Sequence, residues 1–143
     1  MKSSFILLLC VAVGSGLGGS LRLALTHAQI AFGGDAFPWA TLAANVLGSL
    51  LMGLLARLTL PGSGRWATEG VRQFLLTGFC GGFTTFSLFS LESVQMVGSE
   101  QWLAAVVYML ATLIFGIAAA AAGWLLAGTC LPAATRGKSE IRP

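Results

Sequence analysis

Charge is what this sequence has least of. Of its 143 residues, eight are Lys or Arg and five are Asp or Glu, so 9% are charged. A soluble domain carries about 25%. So few ionised side chains cannot cover a water-facing surface, and a soluble globular protein is excluded. Disorder is excluded too, because it needs high charge and low hydrophobicity. Histidine is represented by His27 alone, which reads as part of the first loop, so no histidine metal centre is expected. The three cysteines, Cys10, Cys80 and Cys130, lie far apart without a CxxC pair and read as packing thiols. Within the apolar runs no nucleophile accompanies a base and no phosphate-binding loop occurs, so an enzyme is not expected. The basic residues are scattered rather than gathered on a patch, which argues against a nucleic-acid partner.

What the chain does have is apolar length. Hydrophobic residues make up 56%, and 19 glycines suit transmembrane helices. The remaining class is an all-α, multi-pass membrane protein. Four apolar runs can be marked, at about 5–25, 39–56, 74–97 and 102–127. Each is near the ~20 residues that span ~30 Å of hydrocarbon as a helix. In lipid every backbone polar group needs an internal partner, so these runs must be helices. Residues 1–131 therefore form one four-span domain. Residues 132–143, with Arg136, Lys138, Glu140 and Arg142, form a polar tail that reads as mobile. Turn-forming residues separate the spans: Gly33, Gly34, Asp35 and Pro38, then Pro61 to Arg65, then Gly98 to Gln101. Trp39, Trp66, Trp102 and Trp124 fall near span ends, where aromatic rings anchor at the interface. The N-terminus imitates a signal peptide, but its apolar run continues to Leu25, beyond a cleavable h-region.

An even number of spans puts both termini on one side. That side would hold Lys2, Arg57, Arg65, Arg72, Arg136, Lys138 and Arg142, and the other only Arg22. Seven against one predicts cytoplasmic termini.

Small residues recur at helix-packing intervals: Gly14 and Gly18, Ser49 and Gly53, Ala119 and Gly123. They permit close helix approach, either within one bundle or between two copies. The third span is the most unusual. Gly81-Gly82 is a poor helix interior, and Thr84 and Thr85 offer hydroxyls that can cap a new start. The expectation is a helix to about Cys80, a short non-helical crossing, and a second helix from about Thr85. Such a break survives at membrane depth only when buried or lining a polar cavity. A glycine kink filled by a neighbouring helix is the alternative.

Past the break, Phe86 and Phe89 share a face, and Ser87 and Ser90 share an adjacent one. Ring edges are electropositive and can meet a small anion in a narrow pore without a full charge. Two Phe residues facing lipid or packing in the core would look the same. Asn45, mid-way through the second span, needs a partner helix or a pore. Thr41 precedes it by one turn, and Tyr108 and Thr112 are i,i+4 neighbours in the fourth span. These residues form either a polar track or an interhelical hydrogen-bond set with no transport role. Arg22 either snorkels to the interface or draws anions to an entrance. Glu92 is the one acid well inside a span, a functional position by default.

Three stretches resemble the Fluc/CrcB family of fluoride channels. They are Gly18-Gly19-Ser20-Leu21-Arg22, Thr41-Leu42-Ala43-Ala44-Asn45, and the GxxGGxTTFSxF run from Gly78 to Phe89 continuing to Ser90. The third is specific, and the other two are weak alone. The resemblance implies passive, fluoride-selective export by an antiparallel homodimer of four-helix subunits in a prokaryotic inner membrane. It implies Phe86 and Phe89 as the ring-edge pair and Asn45 as donor to the anion. Thr41, Tyr108 and Thr112 match the polar track, with Ser87 and Ser90 close by. Arg22 would lie near an entrance and Glu92 beyond the rings. The carbonyls of Gly81 and Thr84, given twice by the two-fold, would hold a structural Na⁺. The charge bias runs against dual insertion, so an oppositely oriented homologue is the alternative to a second copy. A small proton-coupled exporter of organic cations, using Glu92, is the alternative function. It leaves Gly81-Gly82 and the Phe pair without a role.

Overall fold

A computed structural model of the chain describes residues 2–33, 37–60 and 67–130. Asp35, Arg65, Trp66 and the tail from Pro132 lie outside the described residues. Among the described residues, four helical segments are long and apolar enough to cross a membrane: Ser4–Ala31, Trp39–Leu58, Glu69–Gly98 and Trp102–Thr129. The chain is a multi-pass, all-helical membrane protein.

Helix α1 is Lys2–Ala31 and α2 is Trp39–Leu58. The third segment has two parts. Helix α3 covers 69–83, with Gln73–Cys80 wound as π-helix between α-helical Glu69–Arg72 and Gly81–Phe83. Helix α4 is Phe86–Gly98, and α5 is Trp102–Cys130. Two helices outrun their apolar stretches. α1 continues past Arg22 and carries His27, which is therefore helical rather than in a loop. The third segment begins at Glu69, five residues before the apolar run starts at Phe74, with Thr68 Oγ1 capping Val71 N.

Glycine dictates the pairing. A Cβ on Gly18 would collide with the Phe79 carbonyl, and one on Gly14 with that of Phe74. α1 and α3 thus run parallel with their backbones touching. α2 and α5 do the same, since a Cβ on Gly53 would meet the Ala120 carbonyl and one on Gly123 that of Leu50. Gly14, Gly18, Gly53 and Gly123 of the small-residue pairs are thus used within the bundle. α4 and α5 are joined by a tight turn in which Glu100 takes φ 63 and Gln101 N donates to Met96 O at 2.9 Å. Large apolar side chains point outward, among them Leu103, Ile117 and Leu125. The small buried set includes Thr41, Thr59, Thr85 and Ser93, a distribution suited to lipid rather than water.

The interruption in the third segment falls later than expected. Gly81 is helical, at φ −64 and ψ −35, and the helix runs on to Phe83. Thr84 (ψ 157) and Thr85 (φ −149, ψ 125) are extended. Gly82 serves packing instead: a Cβ there would strike the Ser15 backbone. The β-branched pair Thr84-Thr85, which favours extended backbone, carries the change of direction.

Candidate functional site

One amide holds the interruption. Thr85 N donates to Asn45 Oδ1 at 2.8 Å, and Asn45 Nδ2 donates to Thr85 O at 3.0 Å. A continuous helix would instead send that N–H to the Gly81 carbonyl. Thr85 Oγ1 then accepts from Leu88 N at 3.2 Å and caps α4, as the Thr pair suggested. On the other side Thr84 N and Oγ1 both reach Cys80 O at 3.0 Å. Arg22 Nε also approaches this helix end, 3.4 Å from Gly82 O.

An open groove of about 420 Å³ begins at this point. Asn45, Thr84, Thr85, Phe86, Phe89 and Thr112 line it, and Gly48, Met52, Gly116 and Ile117 supply apolar walls. The rings of Phe86 and Phe89 are 5.7 Å apart and inclined at 41°. Phe86 is 80% exposed on the single chain, while Phe89 packs on Tyr108 at 5.3 Å. Tyr108 is fully buried, and Thr112 Oγ1 donates back to its carbonyl.

Beyond Tyr108 lies the acid. Tyr108 O–H donates to Glu92 Oε2 at 2.7 Å, and Thr41 Oγ1 to Oε1 at 2.8 Å. Three helices thus converge on one carboxylate. Glu92 also lines a second cavity of about 280 Å³, with Gln29, Gln95, Ser99 and Gln101 around it. The contacts run from Asn45 and the two rings through Tyr108 to Glu92 and this mouth. Ser87 and Ser90 do not line the groove; Ser87 is exposed and sits 3.2 Å from Thr85 Oγ1. Arg22 lies on the α3 end rather than in either cavity.

The sequence pattern identified Asn45, Thr41 and Tyr108 as polar groups in apolar runs. It did not reveal that Asn45 serves Thr85, nor the glutamines at the mouth. Pairings across 40 and 51 residues leave no local signal. Among the described residues no group of three His, Cys, Asp or Glu is placed to hold a metal. Gly81, however, is exposed and its carbonyl has lost its ladder donor to Asn45, while Thr84 is extended at ψ 157 although its N–H still donates to Cys80 O. Carbonyl oxygens at an interrupted helix are the kind of donor a hard monovalent cation takes.

Among the described residues, four helices long and apolar enough to span, a third segment extended at Thr84–Thr85 and hydrogen-bonded groups between two cavities suit a membrane protein of the channel or transporter class. A family model described as "CrcB-like protein, Camphor Resistance (CrcB)" matches residues 9–124. A protein of Azobacteroides pseudotrichonymphae, "Fluoride-specific ion channel FluC", is 39% identical over 116 residues, covering 81% of this chain and 91% of its own length. "Fluoride-specific ion channel FluC 1" of Nitrobacter hamburgensis is 43% identical over 127 residues, covering 86% and 94%. "Fluoride-specific ion channel FluC" of Idiomarina loihiensis is 38% identical over 129 residues, covering 90% and 98%. The chain belongs to the CrcB family. The relatives named here are ion channels, not enzymes.

Proposed function

We propose that this chain forms a fluoride-selective channel that exports fluoride by passive conduction across a prokaryotic inner membrane. The observation that carries the reading is the groove at Thr84–Thr85, where Asn45, backbone from an interrupted helix and two Phe rings meet. The interruption sits at mid-membrane depth in this reading. A stripped halide there needs donors that do not hold it too tightly. Asn45 supplies a neutral amide, and the edges of Phe86 and Phe89 supply weak positive potential. Thr112 borders the groove, and the hydroxyls of Tyr108 and Thr41 carry the path on toward Glu92.

The single chain leaves one side of this path open, since Phe86 is 80% exposed. A second copy packed antiparallel closes it and yields two equivalent paths. The carbonyls of Gly81 and Thr84 from both copies would hold a sodium ion, which supplies a fixed positive charge tying the two interruptions together. Arg22 belongs to an entrance in this reading, and Ser87 and Ser90 flank the rings.

Both oxygens of Glu92 already accept hydrogen bonds, which disfavours its use as a carboxylate exchanged between proton and organic cation. The test is fluoride efflux from liposomes holding purified protein, with and without a pH gradient. Efflux that needs no gradient supports the channel. Flux that requires one supports the exporter.

A further inference from the structure

Gln29, near the end of α1, and Pro38, just before α2, line the Glu92 cavity. α2 starts at Trp39 behind Pro38, which makes no side-chain cap. Its first N–H groups need partners from elsewhere. Gln29, near the end of α1, supplies one: its Oε1 accepts from Ala40 N at 2.6 Å. The same amide donates through Nε2 to Phe37 O at 2.9 Å. Gln29 therefore holds the chain on both sides of Pro38.

Those two anchor points lead directly to the acid. The Phe37 ring stands T-shaped on Tyr108, at 5.6 Å and 83°, and Tyr108 donates to Glu92 Oε2. Thr41 follows Ala40 in the chain and donates to Glu92 Oε1. Gln29 and Glu92 line the same cavity. The registration of both hydroxyl donors thus depends on what Gln29 holds.

We propose that Gln29 is a positioning residue of the ion path. By fixing Phe37 and Ala40 it keeps Tyr108 and Thr41 on the two oxygens of Glu92, and so keeps that carboxylate drawn back at the mouth. The inference rests on reading this cavity as an entrance to the fluoride path. A carboxylate released from its donors leans into the cavity and repels an arriving anion through a medium less screening than bulk water.

The test compares Gln29→Ala, Tyr108→Phe and the double variant in purified full-length protein. In liposomes each single variant raises the half-saturating fluoride concentration about threefold to tenfold, the scale of one or two hydrogen bonds, and Gln29→Ala retains maximal efflux. The double variant shows less than the product of the single effects, because both act through one carboxylate. Multiplicative effects, or an unchanged half-saturation in Gln29→Ala, overturn the proposal. A second readout needs no transport. The infrared carboxylate band of Glu92, assigned as the band lost in Glu92→Gln, moves in the same direction in Gln29→Ala and Tyr108→Phe. An unmoved band overturns the proposal whatever the flux. A moved band in protein that carries no fluoride leaves the Gln29 clamp standing and removes the fluoride reading instead.

Discussion

Asn45 commits both ends of its amide to one backbone residue, and that makes it structural as well as polar. Asn45→Ala leaves the N–H and C=O of Thr85 unpaired in a low-dielectric surrounding, at about 1–3 kcal/mol for each group. Loss of fluoride efflux and a lower thermal unfolding midpoint are expected together. Wild-type values of either would contradict the clamp. The rings call for a different outcome. Phe86→Ile and Phe89→Ile keep volume and hydrophobicity but remove the positive edge. They should impair permeation while the protein keeps the elution position of the wild type; wild-type flux in both would remove the ring-edge mechanism. At this scale the sequence carried much of the information. Asn45, Glu92 and the Phe pair stand out because lipid tolerates few polar groups and because their spacing shares a face. Their partners were hidden, since Thr41 and Glu92 meet across 51 residues.

The third segment shows where reading by residue type stops working. Gly81-Gly82 suggested the break, because glycine is a poor helix former in isolation. Packing overrides that preference: α1 comes so close that only glycine fits at Gly82, and the backbone there stays helical. The direction changes two residues later, where Asn45 offers an alternative partner for Thr85. The π-helical turns of Gln73–Cys80 left no mark in the sequence at all, because they depend on register against α1. The four spans were readable from apolar length, while their ends shifted where polar residues continue a helix past the hydrocarbon run, as at His27 and Glu69. One packing prediction belongs here. Gly18→Leu places a branched side chain against the Phe79 carbonyl and the Phe83 N–H. The α1–α3 contact must separate, and the variant should lose the monodisperse size-exclusion peak expected of the wild type. A normal peak with normal fluoride efflux would contradict the backbone-to-backbone contact.

As a whole the described residues form two parallel helix pairs with an apolar outer shell and an open, mostly apolar groove that carries a few polar groups. A groove open along one side cannot conduct alone, so the account requires a second wall. The proposed antiparallel homodimer would supply it, against a sequence bias that puts seven basic residues on one side and Arg22 on the other. Tag-accessibility mapping of cells making only this chain should find its termini on both sides of the membrane. A single orientation in a functional homomeric preparation would contradict the homodimer and favour an oppositely oriented homologue. Selectivity for fluoride along the groove is read by paired fluoride and chloride electrodes on the same proteoliposomes. Rapid fluoride efflux with chloride retained is expected; no fluoride efflux, or chloride leaving equally fast, would rule the fluoride path out.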